Sequence, residues 1–325
     1  MSGRLSAPVP CVSAARRWRT GTARALAMSM GMAVFAPQTQ AQAQLQVQVE
    51  VRQVPAQGPG TAPDDSATRK ALRVCQDPNN LPFANLKGEG LENRIAELFG
   101  RSLGLPVVYY SVPQRFNFVR NTLRFKLPDE DFRCDILMGV PVGFDQVSVT
   151  KPYYRSTYAL VFAQGHGLDQ VHSGADFLKL APSQLAKLRI GIFDRSPASD
   201  WLSKHQLVDQ GVPYRMLNAD PDQYPGQIIE NDLAGGRLDA AIVWGPIAGY
   251  YAQRIQSPKL KVVPLHSEPG VKFDYPMAMG VRYGERAWKQ QIEGLMDAHR
   301  AEIQAILLAY GVPLVDEPAH EDAKP

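Results

Sequence analysis

Cys134-Asp-Ile-Leu-Met-Gly-Val-Pro141 is the stretch that decides the fold, because a similar stretch, Leu238-Asp-Ala-Ala-Ile-Val-Trp-Gly-Pro246, follows later in the chain. In each stretch an Asp opens an apolar run that ends in Gly and Pro. A nearly continuous apolar run is typical of a strand that is covered on both faces. Two such strands at equivalent positions predict a chain built from two similar halves.

The rest of each half supports this duplication. Apolar runs predict two further strands in each half, at residues 72–75 and 107–110 and at residues 188–193 and 212–217, with helical spacing between them. Alternating strands and helices favour a parallel sheet with helices on both faces. We therefore expect two doubly wound α/β lobes around a cleft, joined by two crossing strands. The predicted boundaries are 70–161 plus 266–313 for lobe 1 and 162–265 for lobe 2, with a polar tail at 314–325.

The basic charge of the chain is concentrated at its N-terminus. The 325 residues carry a net charge of +3, yet residues 1–43 contain five Arg and no acidic residue. The remainder has 30 basic and 32 acidic residues. A folded part with this balance lacks the basic surface that nucleic-acid binding requires, so we expect no nucleic-acid partner.

Residues 1–43 have the pattern of a cleaved signal peptide. Arg16-Arg17-Trp-Arg19 is followed by an apolar run at 25–36 and by small residues at Ala41-Gln-Ala43. The apolar run of about 12 residues is short for a membrane-spanning helix, which needs about 20. An uncleaved anchor is the alternative, and the Arg pair leaves the Sec and twin-arginine routes open. We expect a periplasmic mature protein without a membrane span, beginning near Gln44, with an extended arm and linker at 44–69.

Two cysteines remain after the leader, which contains Cys11. An even number of cysteines in an oxidising compartment favours a disulfide between Cys75 and Cys134. The alternative is a pair of buried thiols on neighbouring strands. Two cysteines cannot form a Cys-only zinc site, and the six histidines are scattered, so we expect no metal site.

The sequence contains none of the catalytic motifs that we sought. There is no Gly-x-Ser-x-Gly elbow, no His-Glu-x-x-His pair and no phosphate-binding loop. No Gly-x-Gly-x-x-Gly turn follows the first strand, where a dinucleotide site would need it. We therefore expect no enzymatic activity and no cofactor, with catalytic groups from distant positions as the residual alternative.

Aromatic and polar residues follow the predicted strands. In open α/β sheets the carboxyl ends of the strands border the ligand site, and aromatic residues with a few polar groups are typical of small-molecule pockets. Packing at the rim or in the core is the alternative for each of them. The predicted cleft residues are Asn80, Phe83, Gln114, Arg115, Pro141, Gly143, Arg195, Ser196, Trp244 and Gly245.

Four linked motifs carry a resemblance to a known family. They are Leu72-Arg-Val-Cys-Gln-Asp-Pro-Asn-Asn-Leu-Pro-Phe83, Gly88-Glu-Gly-Leu-Glu-Asn-Arg-Ile-Ala-Glu-Leu98, Pro113-Gln-Arg115 with Phe118-Val-Arg-Asn-Thr-Leu123, and Cys134-Asp-Ile-Leu-Met-Gly-Val-Pro-Val-Gly-Phe-Asp145 with Lys151-Pro-Tyr-Tyr-Arg-Ser-Thr-Tyr158. Over residues 70–313 the chain resembles periplasmic solute-binding proteins of the polar-amino-acid type, and within them the MoxJ/XoxJ family. The resemblance implies a periplasmic-binding-protein-like fold. It also implies a monomeric accessory protein that assists maturation or activation of a quinoprotein methanol dehydrogenase.

Two departures from the amino-acid binders bear on the ligand. Those proteins hold the ligand carboxylate with an Arg shortly after the third strand, where this chain has Val142-Gly-Phe-Asp-Gln146. They hold the ligand ammonium with an Asp where this chain has Trp244. Unpaired charges in a cleft cost several kcal/mol, so we expect an apolar ligand or a partner segment instead. The alternative is a receptor that delivers another small molecule to an ABC permease.

Overall fold

The structure is a computed structural model that describes residues 69–114, 117–216 and 222–316. The predicted leader, most of the arm and linker, and the end of the polar tail lie outside these residues. Apolar runs form the strands of the described chain, which are β1 (Leu72–Gln76), β2 (Asn79–Asn80), β3 (Ala84–Asn85), β4 (Val107–Ser111), β5 (Ile136–Pro141), β6 (Ser148–Val149), β7 (Tyr154–Ala163), β8 (Ile190–Phe193), β9 (Gly211–Tyr214), β10 (Ala240–Trp244), β11 (Leu260–Pro264) and β12 (Asp274–Val281).

The helices of the described chain cover the faces of the sheet. The longest ones bury one apolar face each, as helical spacing of apolar residues requires. The α-helices are α1 (Leu91–Leu103), α2 (Phe118–Asn121), α3 (Gly174–Leu178), α4 (Pro182–Leu185), α5 (Pro197–Lys204), α6 (Gly245–Arg254), α7 (Arg286–Ala298) and α8 (Arg300–Ala309). A 3-10 turn at Val208–Gln210 and a π-helical segment at Ile228–Leu233 complete the described helical structure.

The principal sheet has the strand order β4-β1-β5-β12-β7-β10-β8-β9. β1 runs parallel to β4 and β5, and β8 runs parallel to β9 and β10. The long strand β7 links the two groups, because Tyr154–Thr157 pairs with β12 whereas the following residues pair with β10. We call the group around β1, with α1, α7 and α8, lobe 1, and the group around β8, with α5 and α6, lobe 2.

Each lobe has apolar layers on both faces of its strands. Alternate residues of β1 point to opposite layers: Leu72 and Val74 pack with α1, α7 and α8, whereas Cys75 packs with α2. Trp288 of α7 and Phe99 of α1 are among the largest fully buried side chains of lobe 1. This double cover explains why the third strand of each lobe lacks polar alternation.

The two Asp residues that precede the third strands occupy the same register. Asp135 accepts hydrogen bonds from Arg73 (Nε to Oδ2, 2.6 Å), and Asp239 accepts them from Arg189 (Nε to Oδ2, 3.1 Å). In each lobe the Arg lies one residue before the first paired residue of the parallel strands. The pairs therefore close the sheet at the edge opposite to the predicted ligand edge.

A disulfide joins Cys75 of β1 to Cys134, which lies two residues before β5. Their Cα atoms are 5.2 Å apart, and both side chains are fully buried beside Val119 and Leu123. The bond spans 59 residues of sequence. It therefore fixes α1, β4 and α2 against the sheet of lobe 1.

The structure differs from the predicted elements at three places. The predicted strand at 134–140 starts at Ile136 because Cys134 and Asp135 are engaged in the disulfide and the Arg pairs. Helical spacing of apolar residues predicts a helix at 116–125, but α2 ends at Asn121, since Thr122 leaves the helical conformation and the Leu123 carbonyl accepts a hydrogen bond from Arg282. Helical spacing of apolar residues between Ile292 and Tyr310 predicts one helical stretch, which the structure divides between α7 and α8 at His299, a residue that leaves the helical conformation.

Candidate functional site

A cavity of about 680 Å³ lies between the two lobes. Lobe 1 contributes the loop after β1, the β2–β3 hairpin and Gln114, which follows β4. Lobe 2 contributes Phe193 at the end of β8, the residues after β9, the π-helical segment and Ile247 of α6. The volume is in the usual range for a small-molecule or peptide site.

Asp77 organises the lobe 1 rim of the cavity. Its carboxylate accepts a hydrogen bond from the Asn79 backbone N–H (2.8 Å) and another from the Gln114 backbone N–H. The Asn80 side chain donates to Gln114 Oε1 at 3.2 Å. These bonds join the loops after β1 and β4, so the polar groups of two strand ends form one rim.

Asp232, on the π-helical segment, organises the facing wall of lobe 2. It accepts hydrogen bonds from the Tyr214 hydroxyl (2.5 Å) and from Arg237 Nε (2.5 Å). Burial and the Asp232 carboxylate raise the pKa of Tyr214. Nearby, burial and the hydrogen bond to Glu230 raise the pKa of Tyr224 to about 12. Both phenols are therefore neutral donors at physiological pH, and Asp232 has its charge satisfied within the wall.

The remaining lining combines apolar walls and amide groups with two charged side chains, Arg215 and Asp222. Phe83, Phe193, Ile228 and Ile247 supply apolar contact area. Side-chain amides both donate and accept hydrogen bonds, which matches the N–H and C=O groups of a peptide backbone. The lining amides are Asn79, Asn80, Gln114, Gln223, Gln227 and Asn231. No group of His, Cys, Asp and Glu within the described ranges could hold a metal ion.

Three predicted cleft residues line this cavity: Asn80, Phe83 and Gln114. Arg115, predicted beside them, lies outside the described residues. Each of the three follows a strand of lobe 1, so the structure brings these strand-end residues together at one cavity. The lobe 2 wall instead comes from residues that we did not predict.

Six predicted cleft residues lie outside the lining of the cavity: Pro141, Gly143, Arg195, Ser196, Trp244 and Gly245. Ser196 is fully buried, and its hydroxyl donates to the Phe193 carbonyl at 2.6 Å before α5 begins. Pro141 is the last residue of β5. Gly143 follows in the next turn, where it has a positive φ and is exposed. Arg195 is exposed at a positive φ.

Trp244 is part of an aromatic cluster beside β7, the strand that crosses between the lobes. Its ring makes edge contacts with Tyr158 (centroids 5.4 Å apart) and Tyr275 (5.9 Å). Gly245, the next residue, is buried where a Cβ would overlap the Thr157 carbonyl oxygen. In this structure Trp244 and Gly245 therefore pack against neighbouring residues, which is the alternative stated above for the predicted cleft residues.

The comparisons with known proteins agree with this architecture. The crystal structure of the periplasmic binding protein XoxJ from Methylobacterium extorquens AM1 is similar to this chain, with 34% sequence identity and a TM-score of 0.61. The match covers 76% of this chain and all of that structure. The chain belongs to the XoxJ/MoxJ family of periplasmic binding proteins. The predicted two-lobe α/β fold is therefore confirmed.

Other members of the XoxJ/MoxJ family match over a similar extent. Protein MoxJ from Methylorubrum extorquens is 29% identical over 288 residues, which cover 79% of this chain and 89% of that protein. The crystal structure of MxaJ from Methlophaga aminisulfidivorans MPT shares the fold, with a TM-score of 0.62 and 22% identity over 75% of this chain and all of that one. No protein-family model matches the chain. In the described part, no helix is long and apolar enough to cross a bilayer.

In this XoxJ/MoxJ-family chain, the lobe 2 wall was missed because the residues around Asp232 form a π-helical segment. The sequence predicts a helix at 227–233, and Ile228, Ile229 and Leu233 are buried, but this prediction assigns no site residue to the segment. The signal for a site was the density of polar and aromatic residues between Tyr214 and Asp232. A π-helical turn is frequent at functional sites because its wider turn re-aims side chains.

Glu92, in the first turn of α1, has an unusual environment in lobe 1. Its carboxylate contacts Gly139 of β5, which has a positive φ and no side chain to occupy that space. Burial raises the pKa of Glu92 to about 8. Burial and the Glu92 carboxylate also raise the pKa of Tyr154. The carboxyl group is therefore protonated in the folded protein at neutral pH.

We expect Glu92→Gln to stabilise the protein in a pH-dependent manner. A carboxyl group whose pKa is higher in the folded state than in the unfolded chain costs stability as the pH rises from about 4.5 to about 8. The neutral amide removes this cost. The melting temperature of the variant should match the wild type near pH 4.5 and exceed it by a few degrees at pH 8.5 and above.

Glu97→Gln is the matched control on the same helix. Glu97 is partly exposed and pairs with Arg94 at 3.2 Å, so its replacement should change the melting temperature little at any pH. If the melting temperatures of the wild type and Glu92→Gln change in parallel between pH 4.5 and 9, the raised pKa of Glu92 is contradicted.

Proposed function

We propose that this chain is a periplasmic accessory protein that assists maturation or activation of a quinoprotein methanol dehydrogenase and binds a segment of that partner between its lobes. The leader pattern at 1–43 supports export to the periplasm. The similarity to XoxJ, a periplasmic binding protein, supports the same compartment for this chain. The link to the dehydrogenase rests on the resemblance of the motifs at 72–83, 88–98, 113–115 with 118–123, and 134–145 with 151–158.

The composition of the cavity lining carries the proposal. Apolar side chains of a peptide can pack against Phe83 and Phe193, while the amides of Asn80 and Asn231 bond to its backbone. Extended peptides are commonly held in this way, by backbone hydrogen bonds with apolar pockets between them.

A free amino acid fits this lining poorly. Asp77 already accepts two backbone N–H groups, and Asp232 is paired with Arg237 and Tyr214. Arg215 also lines the cavity and could pair with a ligand carboxylate, but the ammonium of a zwitterion would compete with the existing bonds of these two carboxylates, which costs several kcal/mol. Calorimetry with the standard amino acids at millimolar concentration should show no binding.

The experiment is a pull-down from periplasmic extract with the tagged mature protein. We expect a quinoprotein methanol dehydrogenase to be retained, and Phe83→Ala and Asn231→Ala to lower its affinity by about fivefold or more each, as for interface residues worth over 1 kcal/mol. Leu86→Ala is the matched control, because Leu86 is exposed on lobe 1 and does not line the cavity.

The second candidate function is a receptor for a non-amino-acid small molecule delivered to an ABC permease. The volume of the cavity, about 680 Å³, is compatible with such a ligand. Retention of permease subunits in place of the dehydrogenase would favour this candidate. Micromolar binding of glutamate, histidine or arginine would contradict both candidates and place the chain with ordinary amino-acid receptors.

A further inference from the structure

Three segments of the described chain run side by side where the lobes meet. They are β7, the stretch that leads into β12, and residues 313–315, which follow α8 of lobe 1. The buried Ser156 hydroxyl donates to the Pro313 carbonyl at 2.7 Å, and the Val315 N–H donates to the Arg155 carbonyl at 3.2 Å. On the other side, the Thr157 hydroxyl donates to the Leu265 carbonyl at 2.5 Å. The C-terminal segment of lobe 1 is therefore fastened to the crossing strand.

Helix α6 of lobe 2 packs directly against this C-terminal segment. A Cβ on Gly249 would overlap the carbonyl oxygen of Gly311, and a Cβ on Gly245 would overlap both the Thr157 carbonyl and the Pro313 ring. Neither α6 glycine has a positive φ. The need for glycine comes from the close approach of two backbones, so the contact between the lobes has no gap at this point.

Tyrosines extend the contact on both sides of α6. Tyr250 stacks on Tyr310 of lobe 1, with ring centroids 5.7 Å apart and planes inclined by 11°. The Tyr310 hydroxyl donates to the Glu89 carbonyl at 2.5 Å, and Arg254 lies over the Tyr250 ring at 4.1 Å. The Tyr251 hydroxyl, one residue along, lies 3.4 Å from the Leu81 carbonyl, to which it donates.

We propose that this contact holds the lobes closed when the cavity is empty, so that the occupant enters a preformed pocket. We call it the α6–α8 latch and define it by Gly249, Tyr250, Tyr251, Tyr310 and Gly311. Opening would separate the stacked rings of Tyr250 and Tyr310, break the hydrogen bond from Tyr251 to the Leu81 carbonyl and expose the stacked face of Tyr250 to water.

The latch is also continuous with the cavity. Leu81 belongs to the turn that presents Phe83 to the cavity, and Ile247 lies on the same helix as Tyr250. A ligand shifts a conformational equilibrium only by its different affinity for the two states. Because the closed state is already dominant in the unliganded protein, the binding energy of the occupant is not needed to close the lobes. The inference holds for either occupant considered above.

The test measures the distance between spin labels on the two lobes. Leu86 (72% exposed, lobe 1) and Val208 (61% exposed, lobe 2) are replaced by Cys in a mature chain that lacks Cys11. Cys75 and Cys134 are bonded and do not react with the label. Bound small molecules are removed by unfolding in guanidinium with the disulfide intact, followed by refolding.

We expect one narrow distance distribution for the unliganded protein. The double variant Tyr250→Ala/Tyr310→Ala and the variant Gly249→Ala should each give a longer or broader distribution. Gly294→Ala is the matched control, because Gly294 lies within α7 and nothing lies within 4 Å of its added Cβ. It should leave the distribution unchanged.

Two results would overturn the proposal. One is a broad or two-state distribution in the unliganded protein with the native latch, a result that needs no variant to fold. The other is an unchanged distribution in the folded double variant and in Gly249→Ala. Tyr310→Phe, which keeps the stacked ring and loses the bond to Glu89, should remain closed, and circular dichroism confirms that each variant is folded.

Discussion

Replacing Asp135 by Asn should lower the free energy of unfolding by about 3–5 kcal/mol, the usual cost of removing one partner from a buried ion cluster. The Asp135 carboxylate is fully buried. It accepts hydrogen bonds from Arg73 (2.6 and 2.8 Å) and Arg282 (2.6 Å), and Arg69 lies 2.8 Å away. An amide in its place removes the buried negative charge that these guanidinium groups share inside lobe 1; Glu285 stays close to Arg69 and Arg282, and the exposed Asp131 lies 3.7 Å from Arg73.

The internal duplication supplies the matched control. Asp239 occupies the same register in lobe 2 and pairs with Arg189, but its side chain is 36% exposed. Exposed pairs contribute about 0–1 kcal/mol, so Asp239→Asn should be nearly neutral. Urea unfolding of both variants measures the difference. Equal losses in the free energy of unfolding for the two variants would contradict the conclusion that burial makes the Asp135 ion pairs costly to break.

The ion cluster around Asp135 also predicts that the stability of the protein depends on pH in the acidic range. Burial acts to raise the pKa of Asp135, but the hydrogen bond from Arg73 and the charges of Arg69 and Arg282 lower it overall. A carboxyl group with a lowered folded-state pKa stabilises the protein above its ordinary pKa of about 4, and this contribution disappears as the pH falls below that value. The stability of Asp135→Asn should therefore fall less steeply below pH 4 than that of the wild type.

Loss of the disulfide should cost about 2–4 kcal/mol, chiefly through the larger entropy of the unfolded chain. The bond spans 59 residues, a long loop that includes α1, β4 and α2. The measurement compares urea unfolding of the wild type with and without reductant. The double variant Cys75→Ala/Cys134→Ala is the control, since reductant should have no effect on it.

Thiol labelling tests the bond itself. Mature protein that is denatured without reductant should not react at Cys75 or Cys134, and both should react after reduction. If both react without reductant, the two residues are the buried thiols of the alternative interpretation.

The sheet was predictable from sequence because its strands are buried on both faces. In such strands the apolar runs are continuous, so the stretches at 134–141 and 238–246 indicate both the strands and the duplication. The lobe 1 rim was predictable for a related reason: Asn80 and Gln114 directly follow strands, and strand ends meet at one edge of a parallel sheet.

The lobe 2 wall was not predictable in this way. Trp244 follows a strand as Asn80 does, yet it packs between Tyr158 and Tyr275 beside the crossing strand. The wall is formed by the π-helical segment instead, whose register departs from ordinary helical spacing. Strand-end position therefore identifies candidates, whereas the distinction between lining a cavity and packing against a neighbour depends on contacts between distant segments.

The central place of β12 sets the order in which the two lobes can be completed. Lobe 2 is formed by one continuous piece of chain, but the sheet of lobe 1 has a slot between β5 and β7 that only β12, near the C-terminus, can fill. Until then β5 and β7 present unpaired edges, which are templates for pairing with other chains. About 110 residues separate the end of β7 from β12, so these edges stay unpaired until nearly the whole chain is available in the compartment where it folds. A chain that ends before β12 keeps both edges unpaired.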